Sequence, residues 1–219
     1  MLIGGADEAG RGPLMGPLVV AGVSIDDSNM QALIDIGVKD SKLLSVSSRE
    51  RMYGQIIKAA KDYKIIIILP DEVDSAVSSE NLNLNKLEGI KYAMITNYLK
   101  PEKMIVDCPS NNIIAFVEFF KMNLTMDSID IVAEHKADVK YPVVSAASIL
   151  AKVTRDREIE KLKEKYGVDF GSGYPADPKT VEFARKNWGN PKYSPLFRKT
   201  WETYKRFERA KDQKKLGQF

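Results

Sequence analysis

What most limits the fold of this chain is a series of short Val- and Ile-rich runs separated by stretches long enough to be helices. Leu18 to Ile25 ("LVVAGVSI"), Lys64 to Leu69 ("KIIIIL") and Lys103 to Val106 ("KMIV") are apolar without alternation, so each reads as a strand covered on both faces. Ile129 to Ala133 is a weaker fourth run. Helical stretches fall at about 45–61, 83–99, 110–122 and 143–165. Strands alternating with helices predict an α/β fold with at least part of the sheet parallel. The Gly- and Pro-rich stretch "YGVDFGSGYPADPKT" interrupts this pattern. The helical, aromatic and basic residues after it predict a helical C-terminal subdomain.

Composition removes several classes of function. With 219 residues, 44% of them hydrophobic, the chain can bury a full core. An apolar run of about 18 residues is missing, and the first residues lack a basic stretch ahead of an apolar one. The expectation is a cytoplasmic protein, with a monomer as the default. The single cysteine, Cys108, excludes an internal disulfide and a multi-cysteine zinc site, and the single histidine, His135, excludes a histidine metal cluster. The net charge of +3 is concentrated at the C-terminal end, where residues 198–215 carry eight Lys/Arg against three acids. A basic end on a slightly acidic body suits a polyanionic partner, and it equally suits a solvated charged helix.

Acidic residues stand where an α/β sheet places its ligands, beyond the strand ends. Asp7 follows a short strand-like start, Asp107 ends the run "KMIV", and Asp138 sits just before the long helix; with Glu8 they make four acids able to share one pocket. Carboxylates packed together raise one another's pKa values unless a cation neutralises them. Oxygen ligands without histidine or cysteine favour Mg²⁺ or Mn²⁺, and two such ions about 4 Å apart serve phosphodiester hydrolysis. Neighbouring side chains on a strand point to opposite faces, so Asp7 and Glu8 both reach such ions only if the chain bends, for which Ala9-Gly10 is suited. Each acid taken alone reads as a solvated loop residue or a helix cap; the set of four points to metal.

Gly10, Arg11 and Gly12 follow the acids directly. Glycines let a backbone approach a ligand and arginine suits phosphate, although a tight turn with a surface arginine has the same sequence. The pattern G-x-x-x-x-G-K-[ST] is missing, which counts against a nucleoside triphosphatase. On the long helix Ser145, Ser148, Lys152 and Arg155 form one stripe, and Ala146, Ile149, Leu150 and Val153 gather on another side. The apolar side is expected against the sheet, leaving hydroxyls and cations for phosphate oxygens or simply for solvent.

In this order the segments "DEAGRGPLMGPLVVAGV" (7–23), "VKDSKLLS" (38–45), "VDCPS" (106–110), "KADVKYPVVSAASILAKVTRDR" (136–157) and "GSGYPADPKT" (171–180) resemble the ribonuclease HII family in its archaeal form. The resemblance implies an RNase H-like mixed sheet flanked by helices over residues 1–168, a helical C-terminal subdomain over 169–212, and a tail at 213–219. It implies Asp7, Glu8, Asp107 and Asp138 as catalytic acids binding two Mg²⁺ or Mn²⁺ ions. Gly10, Arg11 and Gly12 match the loop that reads a ribonucleotide's 2'-hydroxyl and flanking phosphate, and Tyr174 the tyrosine that stacks on the adjoining deoxynucleotide sugar. Ser41, Lys42, Ser145, Ser148 and Lys152 would contact substrate phosphates. The implied activity is cleavage of RNA in RNA/DNA hybrids and 5' of a ribonucleotide in duplex DNA, leaving 3'-hydroxyl and 5'-phosphate ends.

The tail, with Gln213, Leu216 and Phe219 spaced as Q-x-x-L-x-x-F, resembles a sliding-clamp peptide lacking its second aromatic; a frayed basic tail is the alternative. Cys108 reads as a small buried residue, and His135 as structural or solvent-facing. Trp188, Tyr193, Phe197, Trp201 and Tyr204 fit a packed C-terminal mini-core better than a base-stacking surface. Residues 70 to 100 read as scaffold. Two rivals remain at this stage: a metal-dependent nuclease or strand-transfer enzyme without a 2'-hydroxyl test, and a non-catalytic nucleic-acid or clamp-binding module.

Overall fold

The computed structural model describes residues 1–38, 45–126 and 128–216, with side chains up to residue 210 in the last stretch. Five strands form one mixed sheet: β1 (Leu2–Ala9), β2 (Leu18–Asp26), β3 (Asp62–Ile68), β4 (Lys103–Asp107) and β5 (Asp130–Glu134), in the order β3-β2-β1-β4-β5. β1 runs antiparallel to β2 and parallel to β4, and β4 runs parallel to β5. The helices are α1 (Met30–Ile36), α2 (Val46–Ala59), α3 (Pro70–Ser78), α4 (Leu84–Leu99), α5 (Ile113–Met122), α6 (Ala137–Lys140), α7 (Pro142–Tyr166), α8 (Pro178–Asn187) and α9 (Glu202–Leu216). The expected strands and the four longer expected helices all form, with ends shifted by a few residues.

β1 departs most from the sequence reading. It is a full strand containing both Asp7 and Glu8, with Asp7 opposite Ala21 and Glu8 opposite Val20 of β2. Two consecutive glycines hide it from propensity, and pairing on both sides overrides propensity. Those glycines are needed for packing. A Cβ on Gly5 would meet the Val143 carbonyl carbon of α7 at 2.6 Å, and one on Gly22 would meet Ile95 of α4 at 2.2 Å. Gly22 pairs with Ala6, so α4 lies on the Ala6 face of the sheet and α7 on the Gly5 face.

The chain divides into two compact units. The first, residues 1–9, 19–67 and 84–155, contains the sheet and its apolar cluster: Ile3, Val19, Ala21, Val23, Ile25 and Ile105 pack with Val143, Val144, Ala146, Ala147, Ile149, Leu150 and Val153 of α7. The second, residues 10–18, 68–83 and 156–219, has its own core of Leu14, Met15, Ile159, Phe170, Ala184, Leu196, Phe197 and Tyr204. Trp188, Tyr193 and Trp201 pack against that core, and Trp188 meets Tyr204 edge-on at 5.9 Å. The C-terminal aromatics therefore form a mini-core, as their spacing predicts. Among the described residues no helix is long and apolar enough to cross a membrane.

Candidate active site

Parallel pairing aligns the C-terminal ends of β1 and β4. Ala6 lies opposite Val106, which puts Asp7 and Asp107 one residue beyond that last pair on neighbouring strands. Both follow the Gly5–Ile105 alternation and take the face covered by α7. Asp7 is only 4% exposed. Burial above all, then the negative charges of Glu8 and Asp107, raise its carboxyl well above the usual range, and hydrogen bonds from the Ser148 hydroxyl and the Glu8 N–H oppose this. Asp7 therefore lies within electrostatic reach of two of the other three predicted acids.

Glu8 takes the opposite face, as strand alternation requires. Its Oε2 accepts a 2.6 Å hydrogen bond from the Tyr92 hydroxyl on α4, and the same hydroxyl donates to the Asp107 carbonyl at 3.2 Å. Tyr92 is fully buried, and burial followed by the charges of Glu8, Asp7 and Glu88 pushes its phenol well up, so it remains a donor. Asp107 Oδ1 accepts from the Ala137 N–H at 2.8 Å, thereby capping the start of α6, whose second residue is the buried Asp138. The Asp138 carbonyl accepts from Ser145 at 2.6 Å. The four acids thus arrive by three routes: two on one strand, one at the end of the neighbouring strand, and one on a short helix that Asp107 holds.

Among the described residues no group of three or more His, Cys, Asp or Glu side chains stands gathered as a set able to hold a metal ion. Strand alternation sends Glu8 to the opposite face, where it bonds Tyr92, while Asp107 bonds the Ala137 amide. The donor set is carboxylate oxygen throughout, and the buried, charge-raised Asp7 calls for a positive neighbour; these residues fit a hard divalent cation.

The remaining predicted residues differ in their surroundings. Ser145 is buried at 1% exposure and also donates to the Val38 carbonyl at 3.1 Å, Ser148 bonds Asp7, and Lys152 is exposed. Arg155, on the same stripe, is buried. In the second unit Arg11 is half-buried, Gly12 exposed, and Tyr174 exposed on the loop 171–174. That loop is pinned by Asp177, which accepts from Ser172 N–H at 2.7 Å, and by Thr180, which accepts from Gly173 N–H at 3.0 Å. Ser41, Lys42 and Phe219 lie outside the described residues, as do the side chains of Gln213 and Leu216. Cys108 is buried, with burial pushing its thiol up, and its carbonyl meets Nδ1 of the exposed His135 at 3.1 Å.

Two residues escaped the sequence reading. Tyr92 lies in the stretch taken as scaffold and carries no local signal, because its value comes from a strand far away in sequence. Arg198, counted among the basic tail charges, is entirely buried.

This architecture is shared with two solved structures. The crystal structure of the ribonuclease H2 from Pyrococcus horikoshii OT3 is 44% identical, with a TM-score of 0.86 over 96% of this chain and 98% of that one. The structure of the PCNA:RNase HII complex from Archaeoglobus fulgidus contains a chain 43% identical, with a TM-score of 0.77 over 84% of this chain and 85% of that one. Sheet, acids and likeness together define a metal-dependent nuclease of the ribonuclease H type. A Ribonuclease HII from Pyrococcus furiosus is 48% identical over 218 residues, covering 98% of this chain and 95% of the relative. The model of the family described as Ribonuclease HII matches residues 4–204, and the chain belongs to that family.

Proposed function

We propose that this nuclease hydrolyses the RNA strand of RNA/DNA hybrids and cuts 5' of ribonucleotides embedded in duplex DNA, leaving 3'-hydroxyl and 5'-phosphate ends. The observation that carries the chemistry is Asp7, buried beside Glu8 and Asp107 with its carboxyl raised at the ends of two parallel strands. Asp7, Glu8, Asp107 and Asp138 would hold two Mg²⁺ or Mn²⁺ ions. Such a pair, when bound, lowers the pKa of attacking water and stabilises the leaving oxygen. Ser148 orients Asp7, Tyr92 orients Glu8, and the Ala137 N–H orients Asp107.

Substrate choice falls to Gly10, Arg11, Gly12 and Tyr174. A glycine backbone allows close approach to a sugar, and the 2'-hydroxyl is the group that separates RNA from DNA. Ser41, Lys42 and Lys152 are suited to phosphate contacts. Ser145 would have to give up its carbonyl partners to join them. We assign the protein to the cytoplasm, and its tail, through Gln213, Leu216 and Phe219, to a sliding clamp; the relative found in the PCNA complex supports that partner.

The test is cleavage of an end-labelled DNA duplex carrying one ribonucleotide, with Mg²⁺, Mn²⁺ or EDTA, beside an all-DNA duplex. A metal-dependent cut only 5' of the ribonucleotide is expected. Equal cutting of the all-DNA duplex would favour a nuclease without a 2'-hydroxyl test, and salt-sensitive binding without cleavage would favour a binding module.

A further inference from the structure

Arg198 is a basic residue of a basic segment, yet its exposure is 0% and it heads the largest fully buried side chains. Burying a guanidinium is expensive, so its donors must accomplish something an apolar side chain cannot. Nε and Nη2 donate to the Gly16 carbonyl at 3.1 and 3.0 Å, and Nη1 donates to the Arg11 carbonyl at 3.0 Å. A rigid planar fork can hold two main-chain carbonyls at a fixed separation; a lysine ammonium is a single point. The guanidinium carbon lies 5.0 Å from the Trp201 ring centre, and the Trp201 indole N–H donates to the Gly12 carbonyl at 3.3 Å. Asp74 fixes the backbone between them, accepting from the N–H groups of Lys199 at 2.7 Å and Thr200 at 3.0 Å and from the Thr200 hydroxyl at 2.6 Å.

The held segment begins and ends on glycines in the left-handed region, Gly10 at φ +89° and Gly16 at φ +84°. Its other side is tied to the tyrosine loop: the Gly173 carbonyl accepts from Leu14 N–H at 2.9 Å and from Met15 N–H at 3.2 Å. Residues 10–16 are therefore clamped between Arg198–Trp201 and the residue just before Tyr174, all within the second unit.

We infer that Arg198, backed by Trp201 and Asp74, is a positioning residue for substrate discrimination, setting the backbone of residues 10–16 and its spacing from Tyr174. The inference rests on the proposed reading that these two loops examine the sugar. The guanidinium touches no substrate; it holds the carbonyls of the residues that do, so that the exposed Gly12 and the Arg11 side chain keep one geometry.

The experiment uses the full chain in an Asp7→Asn background, where cleavage does not consume the probe. The affinity for a duplex with one ribonucleotide is compared with that for the all-DNA duplex. Arg198→Lys keeps the charge and loses the fork; Trp201→Phe keeps the ring and loses the indole N–H. Either change, in protein with unaltered circular dichroism, is expected to reduce the ribonucleotide preference about tenfold, as the loss of one well-placed hydrogen bond to the sugar would. A purely structural role would leave the preference intact. Full preference in folded Arg198→Lys overturns the inference, and if that variant does not fold, full preference in Trp201→Phe does. If Asp7→Asn alone shows no preference, the reading of the loops has failed and the inference falls with it.

Discussion

The Tyr92 hydroxyl holds Glu8 by a 2.6 Å hydrogen bond to Oε2 and, through its bond to the Asp107 carbonyl, bridges the ends of β1 and β4. It thereby joins two acids that the strand pattern sends to opposite faces of the sheet. Tyr92→Phe keeps the ring that packs edge-on against Phe116 at 6.3 Å and removes only the donor. Groups that orient a metal ligand are worth about 10–100-fold, so kcat should fall by about tenfold with KM little changed. Steady-state kinetics beside a melting curve checks this; an unchanged kcat would remove Tyr92 from the site.

Asp7 has its folded-state pKa raised, so the folded protein retains a proton that the unfolded chain has released. Stability of the metal-free protein therefore falls as pH rises from the ordinary carboxylate range through the raised value. Asp7→Asn removes the buried titratable carboxyl and should abolish turnover while raising unfolding free energy at neutral pH in EDTA. Mg²⁺ should raise the melting temperature of the unsubstituted protein through linkage and leave that of Asp7→Asn nearly unmoved. An active Asp7→Asn protein would refute the mechanism.

Gly5 and Gly12 are glycines for different reasons. A Cβ at Gly5 strikes the backbone of Val143 and Val144 within 2.7 Å, whereas one at Gly12 meets nothing within 4 Å. Gly5→Ala should cost about 1–3 kcal/mol or more by forcing α7 from the sheet. Gly12→Ala should stay within about 0.5 kcal/mol of the parent, yet cut the ribonucleotide duplex poorly because its added methyl meets the substrate. Chemical denaturation and cleavage measured on both variants separate the two causes.

Deleting residues 213–219 should abolish binding to the cognate sliding clamp and leave cleavage of short duplexes nearly intact. Surface plasmon resonance on immobilised clamp reads the first effect, and the single-ribonucleotide assay the second. Undiminished clamp binding by the truncated chain would move the contact elsewhere.

The sequence by itself determined the strand runs, the long helix with its apolar face, the family, and the candidate acids, because periodicity and ordered motifs are local properties of a chain. It also led to two misplacements: β1 as a short start, because Gly4-Gly5 lowers strand propensity, and Arg198 as a surface charge, because burial of a cation depends on acceptors far away in sequence. Only the tertiary structure decided that β1 runs on through Asp7 and Glu8 without the bend that would turn both to one face, that Tyr92 reaches Glu8, and that Arg198 grips the Gly10–Gly16 loop. Each of these is fixed by strand register or by hydrogen bonds between groups distant along the chain. No local pattern records such a partner until the chain has folded.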